Sequence, residues 1–263
     1  MKQPPAIVGI MLVRNEDKFL KRAALNILDF CDRILIADHL SQDSTPGICE
    51  ELARISPKFE IYRIRDPRES HEMLVPLANT NTWVIGVDGD EIYDPAGLAK
   101  VRARIHAGEW DKWWVVFGNV INCDALDETA KTASGWQAPP CRSMTKLYNF
   151  AAVKSLDPAT KHRLHGRHEV FNPGWTAMSR YELYKEITWQ DSDFRCIHTC
   201  WMPRSSLDPQ TTSRRNVTES LGIINRLRTL LARLLGRKSE SDYKAEKYRR
   251  GEYVIVDAKE FLK

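Results

Sequence analysis

Strand and helix patterns alternate through the first 95 residues of the chain, and this alternation constrains the fold more than any other feature. Residues 6–13 form an apolar, β-rich run, and apolar residues then recur at helical spacing from Phe19 to Leu28. Such alternation is typical of a sheet whose strands are connected by helices, rather than of a helix bundle or a β-sandwich. The sequence therefore predicts the α/β fold class.

Local patterns predict the further elements. Thr45 followed by Pro46 predicts a helix start, with Thr45 as the N-cap and the proline in the first turn. Asp94 followed by Pro95 predicts another helix start. The other predicted elements are strands at residues 33–37, 59–64 and 83–87 and helices at residues 47–55 and 71–78.

The length of 263 residues fits one main domain with an extension. We place the domain at residues 1–203, with halves at 1–95 and 96–203, and the extension at 204–263. Residues 213–250 carry eleven Lys or Arg and four Asp or Glu, and apolar side chains recur there at helical spacing. The extension is therefore predicted to be a basic amphipathic helix.

Two partners are conceivable for this basic helix. It can pack on its own domain, or it can lie on an anionic membrane, for which residues 214–238 are the predicted contact. We expect no nucleic-acid partner, because the chain contains no recognised nucleic-acid-binding motif. The sequence contains no run of about 18 apolar residues and no signal-peptide cleavage pattern. With six widely spaced cysteines expected as free thiols, the predicted location is the cytoplasm, including the inner face of the membrane.

Asp88 and Asp90 stand one residue apart, directly after the fourth predicted strand. Two buried carboxylates so close together are costly unless a positive charge lies beside them. Mg²⁺ and Mn²⁺ prefer oxygen ligands, and one or two carboxylates commonly hold such an ion while substrate phosphates complete its coordination. Gly89 between them lets a ligand approach closely. The alternative is an ordinary Asp-Gly turn between two elements.

Polar residues follow three of the predicted strands. These loops are Arg14-Asn15-Glu16, residues 38–45 and residues 88–91. Open α/β sheets bind ligands at the carboxyl ends of their strands, so we expect the three loops to belong to one site.

In their order and spacing, these motifs resemble those of family 2 glycosyltransferases of the GT-A fold, which use nucleotide sugars. Residues 13–16 are similar to the first-strand motif of that family, residues 38–45 to its nucleotide loop, and residues 87–91 to its DXD element. The resemblance implies a single domain with a mixed central sheet and helices on both faces. It assigns nucleotide-sugar binding to residues 1–95 and acceptor binding to residues 96–203.

The same resemblance assigns roles to individual residues. Asn15 and Glu16 would line the nucleoside pocket, and Asp38 would bind the base. Asp88 would lie near the ribose or the metal, and Asp90 would bind the Mn²⁺ or Mg²⁺ that bridges the donor's diphosphate.

The acceptor half carries looser similarities. Residues 146–148 and 164–169 resemble a basic-apolar-aromatic strand and a Gly-x-His-Glu element of one subgroup. The resemblance makes Glu169 and His168 candidates for the base that deprotonates the acceptor, with Glu169 preferred. The alternative for this pair is an exposed polar loop.

Two further residues take roles from the family. His198 resembles a late histidine that serves as an additional metal ligand. Arg68 takes the place of an arginine that contacts the diphosphate, although the asparagine that usually follows that arginine is missing here. Cys196, His198 and Cys200 alternate, which also allows a softer metal such as zinc, but a structural zinc site needs four ligands and the sequence offers no matching fourth.

The sequence thus predicts a metal-assisted, inverting glycosyltransferase that uses a nucleoside diphosphate sugar, with a UDP-sugar favoured. The expected acceptor is a hydroxyl group of a saccharide or lipid-linked glycan in cell-surface polysaccharide synthesis. Two alternatives stay open. One is a nucleotidyltransferase that makes sugar nucleotides, although residues 13–18 lack the Gly-rich phosphate loop usual for that class. The other is a non-catalytic nucleotide-binding protein.

Overall fold

The structure is a computed structural model that describes residues 3–139, 145–157, 169–208 and 246–263. The strands are β1 (Ala6–Val13), β2 (Arg33–Asp38), β3 (Phe59–Arg63), β4 (Thr82–Val87), β5 (Glu91–Tyr93), β6 (Val115–Phe117), β7 (Asn119–Asp127), β8 (Thr132–Ala138), β9 (Lys146–Asn149), β10 (Val153–Leu156), β11 (Glu169–Phe171), β12 (Arg180–Glu182), β13 (Arg195–His198) and β14 (Tyr253–Asp257). The helices are α1 (Leu20–Asn26), α2 (Thr45–Ile55), α3 (Glu69–Glu72) and α4 (Pro95–His106). Short 3₁₀ turns cover Val75–Leu77, Phe150–Ala152 and Leu183–Lys185.

A seven-stranded sheet with the order β12-β6-β9-β4-β1-β2-β3 forms the centre of the fold. Strands β3, β2, β1 and β4 run parallel, whereas β9 runs antiparallel to both β4 and β6. The chain proceeds from β1 to β2 and β3 on one side and then returns to place β4 on the other side of β1. The order therefore reverses between β1 and β4, and their carboxyl ends form the crevice where open α/β sheets bind ligands.

Both faces of this sheet are covered. Alternate side chains of β1, including Ile7 and Met11, pack in one core cluster with apolar residues of α1, α2 and α4. Val8 and Ile10 point to the opposite face, where they share a second cluster with Leu74 after α3. Removing these side chains from water is the main force that holds the layers together. The predicted α/β fold with a mixed central sheet and helices on both faces is confirmed.

A second sheet, with the order β14-β8-β7-β13-β5, carries the middle and the end of the chain. In it β13 lies between β5 and β7, and His198 stands opposite Glu91 on one side and opposite Asn122 on the other. Three residues far apart in the sequence therefore form a row across neighbouring strands. Glu91, the residue of this row on β5, follows shortly after β4 ends at Val87.

Two predicted helix features are wrong in detail. Residues 71–78 do not form one helix but a four-residue helix, Glu69–Glu72, followed by the 3₁₀ turn Val75–Leu77. Pro76 lies in that turn, and a proline there cannot donate the backbone hydrogen bond that a continuous helix requires. The N-cap of α2 is Ser44 rather than Thr45. The start of α4 agrees with prediction, because Asp94 accepts hydrogen bonds from Ala96 N and Gly97 N.

The end of the chain differs from the predicted helical extension over residues 204–263. Tyr253–Asp257 forms β14, which pairs antiparallel with β8. The carbonyl of Phe261 accepts a hydrogen bond of 2.9 Å from Asn26 Nδ2 in α1. Alternating apolar side chains let this short segment complete a sheet edge, so the end of the chain belongs to the main fold.

The predicted membrane contact at residues 214–238 lies outside the described residues. In the described part of the chain, no helix has the length and apolar character needed to cross a bilayer.

Candidate functional site

The loop after β4 is a tight turn fastened to the second sheet. Asp88 N donates to Glu91 Oε2 at 3.0 Å, and Glu91 N donates to the Asp88 carbonyl at 3.0 Å. The Asp90 carbonyl accepts hydrogen bonds from Thr199 N at 2.9 Å and from Thr199 Oγ1 at 3.1 Å. These hydrogen bonds fix the turn at the end of β13, next to His198.

Three side chains around this turn converge on one point. Asp88, Glu91 and His198 each offer one ligand atom, and these atoms lie within 4.8 Å of one another. Asp90 is fully buried, and its Oδ1 lies 3.5 Å from His198 Nε2. The predicted residues Asp88, Asp90 and His198 are thus brought together, and Glu91 joins them. Glu91 was missed as a ligand, although it follows Asp90 directly.

Asn122 orients the imidazole of His198. Its Oδ1 lies 3.1 Å from His198 Nδ1, and a carbonyl oxygen can only accept, so Nδ1 is the donor. In the neutral ring, this arrangement leaves the lone pair of Nε2 directed at the acidic side chains. Such a partner on the far nitrogen fixes the ring and tautomer of metal-binding histidines. Only the structure identifies Asn122, because it lies on a different strand, 76 residues away.

This donor set fits a hard divalent cation. The carboxylates of Glu16, Asp88, Asp90 and Glu91 gather here, and the Arg204 guanidinium lies 3.4 Å from Glu16 Oε1 and 3.8 Å from Asp90 Oδ2. Glu16, Asp90 and Glu91 are buried. Burying several carboxylates together is costly, and a divalent cation offsets that cost while accepting oxygen and imidazole ligands. Asp88, Asp90, Glu91 and His198 are the residues that would hold it.

The neighbouring cysteines are less suited to metal binding. Burial, followed by the charges of Glu91, Asp90 and Asp88, raises the pKa of the Cys196 thiol well above its usual value. A protonated thiol is a poor metal ligand. Strand β13 ends at His198, and Cys200 beyond it donates to Asn122 Oδ1 at 3.5 Å. The oxygen-rich group is therefore better matched to Mn²⁺ or Mg²⁺ than to zinc.

Gly89 packs against the side chain of Glu16. A Cβ atom built on Gly89 would lie 2.2 Å from Glu16 Oε2, so a larger residue here would force the Glu16 carboxylate to move. Glycine at this position therefore lets the loop after β1 press against the loop after β4. Two of the three predicted loops touch here.

The loop after β2 is bound to the loop after β1 by hydrogen bonds. Asn15 N donates to Ser41 Oγ at 2.9 Å, and Gln42 N donates to Asn15 Oδ1 at 2.8 Å. Glu16 N donates to Thr45 Oγ1 at 2.9 Å, which explains why this hydroxyl does not cap its own helix. Asn15 adopts a φ of 52°, a left-handed conformation that asparagine tolerates better than most residues. The loops after β1 and β2 form one unit.

Asp38 lies at the carboxyl end of β2 within this unit. Its side chain is buried, and Oδ1 accepts a hydrogen bond of 3.1 Å from Ser41 N. The structure thus places Asp38, Asn15 and Glu16 on adjoining loops at the same edge of the sheet.

Arg68 follows the carboxyl end of β3 and is exposed. It precedes α3, and its Nη2 forms an ion pair of 2.7 Å with Asp66 Oδ2. The Arg68 guanidinium lowers the pKa of Asp66 to about 2. The role of Arg68 in diphosphate binding remains a prediction.

Glu169 is the first residue of β11, and His168 lies outside the described residues. Within the described residues, strand β11 pairs with β10 alone, and Glu169 stands opposite Leu156. Asp157, the next residue, has its carbonyl 3.0 Å from His71 Nε2 in α3, which follows the carboxyl end of β3. Glu169 therefore lies at the end of this ribbon that is nearer the loop edge of the sheet. Its catalytic role remains a prediction.

Arg204 is a site residue that sequence reasoning placed outside the domain. Its Nη1 lies 3.4 Å from Glu16 Oε1 and 3.8 Å from Asp90 Oδ2. The Arg204 carbonyl accepts a hydrogen bond of 3.1 Å from Lys18 N. The predicted boundary at residue 203 therefore divides the site.

The segment before β14 also returns to this region. The ring of Tyr248 lies 6.2 Å from that of His198 and 6.4 Å from that of Trp201. The guanidinium of Arg249 lies 4.2 Å from the ring centre of Trp201 and 5.2 Å from that of Trp136. Cation–π contacts of this kind anchor the returning chain beside the acidic cluster.

Comparison with known proteins finds structural similarity at low sequence identity. No family model and no curated protein sequence matches the chain. A mannosyltransferase from Pyrobaculum calidifontis, in complex with GDP-Man and Mn²⁺, aligns with 99% of this chain and 70% of its own, at 13% identity and a TM-score of 0.41. Glucosyl-3-phosphoglycerate synthase from Mycobacterium tuberculosis, in complex with Mn²⁺, UDP and glucosyl-3-phosphoglycerate, aligns with 90% of this chain and 82% of its own, at 13% identity and a TM-score of 0.38. Both TM-scores are below 0.5, so the function proposed below rests on the residues of the site.

Proposed function

We propose that the protein is a metal-dependent glycosyltransferase that uses a nucleoside diphosphate sugar, a member of the GT-A type that its motifs resemble. One observation carries the proposal. The acidic group formed by Asp88, Asp90, Glu91 and His198 lies at the strand-order reversal of the sheet, in contact through Glu16 and Gly89 with the nucleotide-type loops. A divalent-cation site beside a nucleoside site matches a substrate that contains a diphosphate.

The loops after β1 and β2 would bind the nucleoside. Asp38 offers a carboxylate to N–H donors of the base, and Asn15 and Glu16 line the pocket that leads from the base to the metal site. A UDP-sugar is the favoured donor. Because Asn15 and Ser41 already fix the two loops to each other, little ordering is needed when the nucleotide binds.

Asp88, Asp90, Glu91 and His198 would hold Mn²⁺ or Mg²⁺. When bound, the cation stabilises the negative charge that builds up on the departing nucleoside diphosphate. The side chains keep their ligand atoms converged before substrate arrives, because Thr199 anchors the loop and Asn122 orients His198. Such preorganisation avoids reorganisation during the reaction.

The acceptor hydroxyl must lose a proton as its oxygen attacks the anomeric carbon. Glu169 is the proposed base, with His168 as the alternative, and inversion of configuration follows from a single displacement. The proposed acceptor is a saccharide or lipid-linked glycan of cell-surface polysaccharide synthesis, reached from the cytoplasmic side of the membrane.

Calorimetric titration tests the donor site. UDP, GDP, CDP, dTDP and ADP are each titrated with Mn²⁺, with Mg²⁺ or with EDTA into the wild type, Asp90→Ala and the surface control Asp29→Ala. We expect one diphosphate to bind only with metal, to the wild type and to Asp29→Ala but not to Asp90→Ala. The matching nucleotide sugars are then tested for transfer. Metal-independent binding to all three proteins, or no binding at all, would contradict the proposal.

A further inference from the structure

We propose that Arg204 is the residue that binds the diphosphate of the donor, and that residues 203–206 are part of the donor site. This inference rests on the proposed function and adds to it a residue for which the sequence suggested Arg68. The supporting observation is the position of the Arg204 guanidinium. Its Nη1 lies 3.4 Å from Glu16 Oε1 in the loop after β1 and 3.8 Å from Asp90 Oδ2 in the metal loop.

The path of the substrate explains why this position matters. A nucleoside held by Asp38 and Glu16 and a cation held by Asp90 can be joined only by the phosphates of the same donor molecule. Arg204 lies beside carboxylates of both loops, close to where the loops touch. Phosphates that join the nucleoside to the cation would lie within reach of its guanidinium.

The chemistry of arginine suits this role. The guanidinium stays charged at every physiological pH and presents a planar fork of donors that matches phosphate oxygens in pairs. The Arg204 side chain is 24% exposed, so the group borders the crevice rather than being sealed in the core. Its contacts with Glu16 and Asp90 are long compared with the 2.7 Å pair between Arg195 and Asp94. A phosphate can replace them without breaking a short ion pair to either acid.

The backbone around Arg204 is fixed by the nucleotide loops themselves. Lys18 N donates to the Arg204 carbonyl at 3.1 Å. Ser205 Oγ donates to Asp43 Oδ2 at 2.7 Å, and Ser206 N donates to Asp17 Oδ1 at 2.8 Å. The segment is therefore attached to both loops that would surround the nucleoside. These hydrogen bonds hold the backbone of Arg204 against the donor-site loops, whereas the Arg68 guanidinium pairs with Asp66.

Inorganic pyrophosphate tests the inference without knowledge of the base or the sugar. Mn²⁺ alone and pyrophosphate with saturating Mn²⁺ are titrated into the wild type, Arg204→Met, Arg204→Lys, Arg68→Met and Arg33→Met. Arg33 is the matched control, because it pairs with Glu60 at the opposite end of β2. Thermal unfolding of each variant identifies any that has lost its fold.

We expect Arg204→Met to weaken pyrophosphate binding roughly 10- to 100-fold, the effect of losing a charge-assisted pair, while Mn²⁺ binding is kept or strengthened. Arg204→Lys keeps the charge without the fork and should lose less. Pyrophosphate affinity equal to wild type in both folded Arg204 variants, or a loss in Arg68→Met instead, would overturn the inference and leave the metal site intact. Failure of the wild type to bind Mn²⁺ would contradict the proposed function itself, and the inference with it.

Discussion

Asp94 and the acids of residues 88–91 lie close together in the sequence and end in different surroundings. Asp94 Oδ1 accepts hydrogen bonds from Ala96 N and Gly97 N, and Asp94 Oδ2 accepts two from Arg195, at 3.0 Å and 2.7 Å. Asp88, Asp90 and Glu91 instead gather around His198, and the guanidinium of Arg204 is 3.8 Å from Asp90. Strand β13 supplies both Arg195 and His198.

The difference separates a structural acid from acids arranged for a ligand. Asp94 starts α4 and has a short ion pair with a cation that the chain itself provides, so its charge is matched as soon as the protein folds. The Arg204 guanidinium lies 3.4 Å from Glu16 and 3.8 Å from Asp90, both longer than the 2.7 Å pair of Asp94 with Arg195. The arrangement of the acids around His198 suits a cation from solution. The predictions below test whether Asp94 contributes to stability and the acids around His198 contribute to metal binding.

The largest effect is expected for Asp90→Asn. Removing this buried charge should lower metal-dependent sugar transfer on the order of 10³-fold, because less of the leaving group's charge is stabilised in the transition state. Stability in EDTA should not fall, since repulsion between neighbouring carboxylates is relieved. Initial rates with saturating Mn²⁺ and thermal unfolding in EDTA measure the two properties. Transfer within tenfold of wild type would place the cation elsewhere.

Arg195→Met should affect stability rather than binding. It leaves Asp94 without its guanidinium partner, and breaking a buried ion pair from one side costs about 3 kcal/mol. Urea unfolding measures the loss, and Mn²⁺ titration should give an affinity within about threefold of wild type, since His198 keeps its neighbours. Adding Asp94→Asn should restore part of the stability, because the unmatched charge is gone. A variant that keeps its stability but loses Mn²⁺ would reverse the comparison.

Asn122→Leu should weaken the metal site without removing a ligand. The His198 imidazole would lose the acceptor for its Nδ1 hydrogen, and losses of such partners typically reduce metal affinity about 10- to 100-fold. Asn122→Asp keeps an acceptor at the same place and should retain more affinity than Asn122→Leu. Calorimetric titration with Mn²⁺ ranks the three proteins. Equal affinity in all of them would show that the tautomer of His198 is set by another group.

The smallest effect is expected for Cys196→Ala. A thiol whose pKa is raised well above its usual value by burial and by nearby acids stays protonated, so its removal should change Mn²⁺ affinity less than about twofold. Titration with Zn²⁺ should give the same small change. A large loss of Zn²⁺ affinity in this variant would instead support zinc binding by Cys196, His198 and Cys200.

Local sequence patterns were sufficient to predict the parallel half of the sheet and its loops. Strands β1, β2, β3 and β4 alternate with helices, and polar residues at their ends indicated the loops that carry Asn15, Glu16, Asp38 and Asp88. These signals are local, because strands and turns are recognised from the types of a few neighbouring residues. The error at residues 71–78 was also avoidable locally, since Pro76 stands inside the predicted helix.

The residues that sequence reasoning missed depend on contacts between distant segments. Asn122 lies 76 residues from His198, the site residue that it contacts, and Arg204 lies 114 residues from Asp90. The extension was taken as helical because its basic, apolar pattern dominates residues 213–250, whereas β14 is short and is identified by its pairing with β8. No periodicity within one segment reports such pairings.

Anomalous diffraction from crystals soaked in MnCl₂ and UDP would locate the cation. We expect one strong manganese peak among Asp88, Asp90, Glu91 and His198, at about 2.0–2.2 Å from the bound oxygen and nitrogen atoms, with phosphate density between that peak and Arg204. The peak should vanish in Asp90→Asn and persist in Arg195→Met. A manganese peak at another place, or none beside His198 in crystals that bind UDP, would show that these residues do not form the metal site.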